Sequence, residues 1–455
     1  MDGEATTDAE RQLLEAVSAG GGTVDLRTRH ERSRPEPPSP DDAATWGSDR
    51  TVRAGFLQHL LLTLGTPIAL YGARIDGDLD LDNTSLPSIN LTQCIVDGHA
   101  WFNHAIFTGG AWFDRATFTG VAGFNHATFT NTTVFLHATF TRDAGFNHAT
   151  FTRDAGFDRA TFTRDAGFEH AIFTRDARFN HAIFTGNAVF EHATFTGAAR
   201  FDDATFTGVA VFDHATFTGD AGFTDATFTS DARFTDATFT GDARFDRATF
   251  TGDAGFDRAT FTSDAGFYRA TFTGDAGFYR ATFTGDAKFT DAIFAGGAQL
   301  SGCRFRRLEL VGTVWSGPLV TVGLVAGVVD VSAAVFDVPV RVELVAGKVL
   351  GQSLRANHRF HLVLAAARLD LTAADLAPGS LIEAMEMPAL ADRFVSIPPL
   401  FDNNGRVAKP SPVMRFDEFL GIILEHYRLD TYLRELFAGP GPAGVCRCSG
   451  HMWPG

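Results

Sequence analysis

AGFDRATFTSD, residues 254–264, is one copy of an eleven-residue unit that repeats through the middle of the chain. The unit repeats from Phe102 to Phe294, with one series of Phe at positions 102, 113 and on to 289, and a second at 107, 118 and on to 294. These 18 units hold 36 of the 45 Phe in the chain. A small residue, almost always Ala, stands two positions before each Phe. The motif is therefore Ala-x-Phe, advancing by five and then by six residues.

This motif predicts strands with Ala and Phe pointing inward, because residues two apart lie on the same side of a strand. Steps of five and six match no helical period, and Gly-Asp or Ser-Asp at the longer step is typical of a corner. Two units, 22 residues, supply four short sides that close into one coil. The predicted fold is an all-β solenoid, a parallel β-helix with coils about 4.8 Å apart. The expected core includes Phe102, Phe107, Phe113, Phe118, Phe201, Phe206, Phe289 and Phe294.

A small residue, any residue, then Leu or Phe is also the unit of the pentapeptide-repeat family, which the chain resembles over residues 70–310 and more weakly to 380. The resemblance implies a right-handed quadrilateral β-helix with helical N- and C-terminal caps. WGSDRTVRAGFLQHLLL, from Trp46, is similar to the N-terminal module of large actinobacterial proteins of this kind. The extra residue in every second repeat departs from the family's strict five-residue step, and we expect it to bulge two opposite corners.

Composition shifts divide the chain into seven segments. The predicted segments are 1–28, a short helix and strand; 29–47, a mobile Pro-rich linker; 48–66, a capping helix; 67–310, the β-helix with its perfect block at 100–297; 311–380, degenerate coils; 381–437, a region with an amphipathic helix at 415–437; and 438–455, a disordered tail. Thr7 or Thr6 is expected to cap the first helix. Ser48 is expected to cap the second, which continues to about Leu64 with Val52, Phe56 and Leu60 on the same face.

Charge and cysteine content exclude several classes of protein. The net charge of −16 argues against direct binding of nucleic acid or an anionic membrane, which needs a basic surface. Four Cys in 455 residues do not make a disulfide framework, and Cys94 and Cys303 stand at the small inward position. No signal peptide and no membrane-spanning run is visible, so a cytoplasmic location is expected.

No motif for a cofactor or for catalysis is visible. The chain has no phosphate-binding loop, nucleophile elbow or dinucleotide fingerprint. Cys446, Cys448 and His451 could contribute to a metal site, but a fourth ligand is missing. The chain is therefore predicted not to be an enzyme and to need no cofactor, with catalysis left open only for residues 381–437.

One set of polar residues repeats with the period of the coil. Residues spaced by 22 form a column on one face, with neighbours about 4.8 Å apart. The column contains His104, His126, His148, His170, His192 and His214. Such a column could bind a transition metal or respond to pH. Alternatively, duplicated repeats simply carry the same exposed residue, which is the simpler interpretation.

Three functions remain compatible with the sequence. The first is a non-catalytic scaffold that binds a protein of unknown identity, with a homodimer through Phe416–Phe437 as one form. The second is mimicry of DNA that binds a type II topoisomerase, as the family resemblance implies. Residues 100–299 hold 23 acidic and 15 basic side chains, a net charge of −8, against about 25 charges on duplex DNA of equal length. The third is ice binding, because Thr-Phe-Thr recurs in 14 of the 18 units.

Overall fold

Short parallel strands, most of them two residues long, make up the described part of the chain. The structure is a computed structural model that describes residues 4–33 and 36–385. It divides into two units, one that ends at Thr240 and one that begins at Gly241, and each unit is a parallel β-solenoid. The predicted solenoid fold is confirmed in both units.

The first unit contains the N-terminal elements and the most regular coils. Its helices are α1 (Asp8–Ser18), α2 (Pro40–Ala44) and α3 (Ala54–Leu64), with a 3-10 helix at Glu31–Ser33. The strands before the regular coils are Thr23–Asp25, Thr51–Arg53, Ile68–Tyr71, Arg74–Asp76, Leu79–Asp80, Ser85–Leu86, Ile89–Thr92 and Ile95–Asp97.

Each regular coil of the first unit has four sides, numbered here in chain order. Side 1 contains Ala100–Trp101, Ala122–Gly123, Ala144–Gly145, Ala166–Gly167, Ala188–Val189, Ala210–Val211 and Ala232–Arg233. Side 2 contains Ile106–Phe107, Thr128–Phe129, Thr150–Phe151, Ile172–Phe173, Thr194–Phe195, Thr216–Phe217 and Thr238–Phe239. Side 3 contains Ala111–Trp112, Thr133–Val134, Ala155–Gly156, Ala177–Arg178, Ala199–Arg200 and Ala221–Gly222. Side 4 contains Thr117–Phe118, Thr139–Phe140, Thr161–Phe162, Ile183–Phe184, Thr205–Phe206 and Thr227–Phe228.

The register between coils confirms the 22-residue period. Ala144 pairs with Ala122 in the preceding coil and with Ala166 in the following one. The corner between Phe146 and Ala149 holds two residues, whereas the corner between Phe151 and Ala155 holds three. Because the two kinds of corner alternate around the coil, the three-residue corners are diagonally opposite, as the alternating steps predict.

The interior consists of stacked Phe rings. The ring centroids of Phe124 and Phe146, one coil apart on side 1, are 4.9 Å apart and the rings are inclined by 3°. Phe146 meets Phe157, from the opposite side, edge to face at 5.4 Å and 87°. The side chains of Phe201 and Ala199 are fully buried, whereas Arg200 between them is exposed. Aromatic contacts of this kind contribute about 0.5–1.5 kcal/mol each beyond burial of area.

The N-terminal helices cover the first coils. Thr7 caps α1 through a capping box in which its hydroxyl accepts the N–H of Glu10, so the predicted cap is confirmed. Helix α1 contacts the strands Thr23–Asp25 and Thr51–Arg53, and α3 contacts Leu79–Asp80. Helix α3 buries Phe56, Leu57, Leu60 and Leu61.

The predicted start of α3 was wrong. Arg53, not Ser48, is the N-cap, because Thr51–Arg53 is extended and pairs in parallel with Arg74–Asp76. Leu64, expected on the buried face, is 50% exposed, and the left-handed Gly65 follows it. Strand pairing at the edge of the first coil therefore takes precedence over the polar cap that the sequence offers.

The segment predicted to be a mobile linker is packed against the coils. Glu31 accepts a hydrogen bond from Arg50 at 2.7 Å, and Gln93 donates to the Glu31 carbonyl at 3.1 Å. Further along, the hydroxyl of Thr117 donates to the carbonyl of Pro38 at 2.7 Å. We call residues 36–46 the strap.

The second unit begins with regular coils and becomes aliphatic. Its strands are Ala243–Arg244, Thr249–Phe250, Ala254–Gly255, Thr260–Phe261, Ala265–Gly266, Thr271–Phe272, Ala276–Gly277, Thr282–Lys288, Ile293–Phe294, Ala298–Gln299, Arg304–Glu309, Val314–Trp315, Leu319–Asp330, Val335–Phe336, Val340–Leu350, Arg355–Ala356, Phe360–Asp370, Asp375–Leu376 and Leu381–Ala384. Trp315 stacks on Phe294 with centroids 4.0 Å apart and continues the aromatic interior.

The coil shortens where the Phe repeat ends. Residues that pair between neighbouring coils are 22 positions apart in sequence for Ala276 and Ala298 and 21 for Ala298 and Leu319. They are 20 positions apart for Val340 and Phe360. In the shorter coils, neighbouring sides are continuous in long strands such as Leu319–Asp330. The helix predicted at 415–437 and the tail at 438–455 lie outside the described residues.

Candidate functional site

The six His of the predicted column are brought together in the first unit as a ladder of parallel rings. Neighbouring ring centroids are 4.6–4.7 Å apart, and the planes are inclined by 3–8°. All six side chains are exposed. The predicted spacing and exposure of the column are thus present in the structure.

The turn that carries each His explains its position. The Ala149 N–H donates to the Phe146 carbonyl at 3.0 Å, closing a turn whose central residues are Asn147 and His148. His148 has φ of 57°, in the left-handed region. Asn, Asp and His are enriched there among non-glycine residues. The same backbone position carries His, Arg or Asp in every regular coil, so the turn accounts for a polar residue without requiring a ligand.

The ring arrangement does not chelate a metal. A zinc ion lies about 2.0–2.1 Å from each imidazole nitrogen and close to the plane of the ring. The planes of His126 and His148 are parallel and separated, so their nitrogen lone pairs do not converge. Within residues 4–33 and 36–385, no three His, Cys, Asp or Glu side chains are placed to hold a metal ion. Cys446, Cys448 and His451 lie outside those residues.

Carboxamide and carboxylate groups beside the His column hydrogen-bond the backbone of the next coil. Asn125 Oδ1 accepts the N–H of Asn147 at 3.0 Å, and Asn147 Oδ1 accepts the N–H of Glu169 at 3.0 Å. On the opposite corner, Asp158 Oδ1 accepts the N–H of Asn180 at 2.9 Å. Asp165 does the same for Asn187 at a three-residue corner. We call this arrangement the corner ladder, in which Asp and Asn have the same structural role.

Two acidic residues lie near the lower part of the His column. Glu191 Oε1 is 3.7 Å from His192 Nε2, and Asp236 Oδ2 is 4.0 Å from His214 Nε2. Such long, exposed pairs contribute little to stability. In the upper part, the pKa of His126 lies below its ordinary value, first because burial disfavours the charged ring and then because charges on His148 and His104 repel it.

The threonines of Thr-Phe-Thr are not all available to solvent. The hydroxyl of Thr130 donates to the Phe107 carbonyl at 2.8 Å, and that of Thr163 donates to the Phe140 carbonyl at 2.8 Å. Thr152 makes the corresponding bond to Phe129 at 3.1 Å. The second Thr of these units therefore binds the preceding coil.

The two cysteines at inward positions are not reactive groups. Cys94 and Cys303 are fully buried. Burial raises the pKa of Cys94 to about 12 and raises that of Cys303 as well. Both thiols stay protonated at neutral pH, so they act as small core residues.

Two cavities among the described residues are too small for an organic ligand. An apolar cavity of about 30 Å³ lies inside the second unit, lined by residues such as Leu324, Phe336 and Leu344. A cavity of about 10 Å³ lies in the first unit between Arg50 and Trp46. Sites for small molecules usually enclose about 300–1,000 Å³. The outward side chains of the coils are therefore the candidate functional surface.

The strap is the feature of this surface that the sequence did not reveal. Pro38 and Thr117 are buried where the strap crosses side 4, and the guanidinium of Arg50 lies 3.7 Å from the ring centroid of Trp46. The charged, Pro-rich composition of residues 29–47 predicted a mobile linker, and no pattern in the sequence pairs Pro38 with Thr117.

Comparison with known proteins agrees with the repeat geometry. The family model described as pentapeptide repeats (nine copies) matches residues 102–150, 146–194, 190–238, 234–282 and 267–314. No curated protein and no solved structure matches the chain. None of the helices in the described residues has the length and hydropathy needed to cross a membrane. Residues 102–314 of the chain thus carry pentapeptide repeats.

Proposed function

We propose that the chain is a non-catalytic scaffold whose outward side chains bind another protein. The observation that carries this proposal is that inward, corner and outward residues have distinct roles in every regular coil. Phe201 and its equivalents are buried, the corner ladder ties the backbone together, and residues such as Ile183 and Arg200 remain exposed. A surface built from such regularly repeated outward side chains suits an extended protein contact better than turnover of a small molecule, which needs a pocket.

The corner ladder weakens the case for mimicry of DNA. A DNA mimic needs carboxylates that are displayed to a partner at a density close to that of phosphates. Here Asp158, Asp165 and Asp202 each hold a backbone N–H of the next coil. One oxygen of each of these carboxylates is therefore already used to join coils, and Arg residues such as Arg159 and Arg164 stand beside the acids.

The hydrogen bonds of Thr130, Thr152 and Thr163 likewise weaken the case for ice binding. An array of hydroxyls that contacts ice must present them to water. In these coils the hydroxyl of the second Thr in each Thr-Phe-Thr instead donates to a carbonyl group of the protein. A preference of Thr for exposed strands is enough to explain the remaining half.

Capture of binding proteins with side-specific variants tests the proposal. The full chain is immobilised and crosslinked to proteins from its native host, beside four double variants, one for each side of the coil. The variants are Val189→Glu with Val211→Glu, Thr150→Glu with Ile172→Glu, Arg178→Glu with Arg200→Glu, and Thr161→Glu with Ile183→Glu. We expect one variant to lose a captured protein while its thermal unfolding stays that of the parent. Identical capture by the parent and all four variants would contradict the proposal.

A further inference from the structure

Two outward Val side chains near the end of the second unit are buried, although the same place in the regular coils is exposed. Ile172 of side 2 is 43% exposed. Thr282 lies five periods of 22 residues further along the sequence and holds the same place in the repeat. Strand pairing continues from Thr282 along one outward column: Arg304, Val325, Val345 and Ala365. Val325 and Val345 are only 4% and 1% exposed.

Neighbouring outward residues are buried in the same way. Leu362 lines the apolar cavity inside the coils, so Val363 beside it points outward, as does every second residue up to Ala367. Val363 and Ala367 are 9% and 7% exposed. We call these outward residues the terminal face: Val325, Val345, Val363, Ala365 and Ala367.

Neighbours in the sheet do not explain this burial. Among the described elements, Val340–Leu350 makes its main contacts with Leu319–Asp330 and Phe360–Asp370, one on each side of it in the sheet. Ile172 is flanked in the same way by two paired strands, yet it is exposed. The exposures are those of a single chain, so the burial arises without a second copy. A further part of the same chain is therefore needed to cover the terminal face.

The chain leaves the described residues next to this face. Met385, the last described residue, donates its N–H to the Leu364 carbonyl at 2.9 Å and lies in register with Ala365. Residues 386–415 follow and contain five Pro, which interrupt helices. Residues 416–437 contain no Pro, and large apolar residues recur there every three or four positions: Phe416, Phe419, Leu420, Ile423 and Tyr427. This spacing predicts an amphipathic helix with one apolar stripe.

We propose that residues 416–437 fold back onto the terminal face of their own chain and cover it with the apolar stripe. The 30 residues between Met385 and Phe416 are long enough for this return, since an extended chain spans about 3.3 Å per residue. A helix about 10 Å in diameter covers two strands that lie about 4.8 Å apart. This contact goes beyond the proposed scaffold function and does not depend on it. It uses the stripe within one chain instead of in a homodimer.

The reactivity of a single thiol on the terminal face tests this inference in the full chain. Cys446→Ser and Cys448→Ser first remove the two cysteines near the end of the sequence. A maleimide then reports on a cysteine introduced by Val345→Cys or, as the matched control, by Ile172→Cys. We expect Val345→Cys to react at least about tenfold more slowly than the control, because the covering segment has to open before the thiol is accessible.

Substitutions in the apolar stripe identify the covering segment. Phe419→Asp with Ile423→Asp places two charges in the stripe, so it should raise the reaction rate at Val345→Cys by about tenfold or more and leave the control site unchanged. Glu418→Gln with Glu425→Gln changes the opposite face of the predicted helix and should alter neither rate. Circular dichroism checks that both double variants keep the coils.

Three results would overturn the inference. The first is an equal reaction rate at the two introduced cysteines when the stripe is intact. The second is protection of Val345→Cys that persists when the stripe carries the two Asp substitutions. The third is protection that disappears as the chain is diluted, because a contact with a second copy depends on concentration and a contact within one chain does not.

Discussion

The imidazole rings of His126 and His148 lie parallel, with centroids 4.6 Å apart and planes inclined by 3°. His104 stacks on the other face of His126 at the same distance. This contact removes water from His126 and places it between two groups that can carry like charge. Its pKa is therefore lower than the ordinary 6.5, first through burial and then through repulsion from His148 and His104.

We expect the pKa of His126 to rise toward the ordinary value when His148 is replaced by Gln, because one repelling neighbour is removed. The measurement is an NMR titration of the ring resonances in the parent chain and in His148→Gln. The folded protein holds the proton of His126 less tightly than the unfolded chain does. The contribution of His126 to the free energy of unfolding is therefore fully present above pH 6.5 and falls as the pH drops below that value. If His126 titrates at the ordinary value of 6.5 in the parent chain and the variant does not change this, stacking has no effect on the pKa of His126.

Asp202 follows Phe201 at a corner of the coil, and its carboxylate joins two coils. Its Oδ1 accepts the N–H of Thr224 in the next coil at 2.9 Å. Asp202→Ala should destabilise the chain by about 0.5–1.5 kcal/mol in urea unfolding. Asp202→Asn keeps the acceptor and should stay close to the parent. Equal losses in both variants would indicate that the charge of Asp202, not its hydrogen bond, is what matters.

Glu10 joins α1 to the first strands through a buried carboxylate. Burial alone would raise its pKa, but hydrogen bonds from Arg53 and from the N–H groups of Thr6 and Thr7 lower it to about 2. The Glu10–Arg53 distance is 2.8 Å. Stability from this group is therefore present above pH 4.5 and is lost as the pH falls toward 2.

Glu10→Gln should reduce the protection of α1 amides in hydrogen exchange by about 2–3 kcal/mol at neutral pH, because the Arg53 guanidinium loses its charged acceptor. Glu15→Gln is the control, since Glu15 is exposed on the same helix. Equal protection of α1 in the two variants would argue against a structural role for the buried carboxylate.

The chain should not inhibit supercoiling by DNA gyrase when the two are mixed in equal amounts. The net charge of residues 100–299 is only −8, and carboxylates such as Asp158 are engaged with the backbone. The measurement is the supercoiling activity of DNA gyrase with and without the chain, at low and at high salt. Inhibition that disappears as salt rises would instead favour mimicry of DNA.

The sequence predicted the regular coils well because one spacing determines both packing and pairing. Ala199 and Phe201 stand two residues apart, so both must point inward, and the 22-residue period then sets the partner of every strand. The cap of the first helix was also predicted as Thr7 or Thr6, and the structure adds the contribution of Glu10 to a capping box. Local patterns of this kind leave few alternative strand registers or helix starts.

Contacts that depend on distant residues were not predictable. The strand at Thr51–Arg53 displaced the expected cap at Ser48 because its partner, Arg74–Asp76, lies more than 20 residues further along the chain. The contact between Pro38 and Thr117 spans 79 residues and follows no repeat. The role of Asp202 was missed because its acceptor geometry appears only when coils are stacked.

The unfolding free energies of Phe201→Ala and Arg200→Ala test whether inward Phe residues stabilise the coils while outward residues are free to bind a partner. Phe201 is fully buried and stacks on Phe179 and Phe223 with centroids 4.8 Å and 4.9 Å away. In urea unfolding, Phe201→Ala should cost about 3–5 kcal/mol through the cavity it leaves. Arg200→Ala, at the adjacent exposed position, should change stability by no more than about 0.5 kcal/mol. Equal losses for the two variants would contradict the assignment of Phe to the interior of the coils.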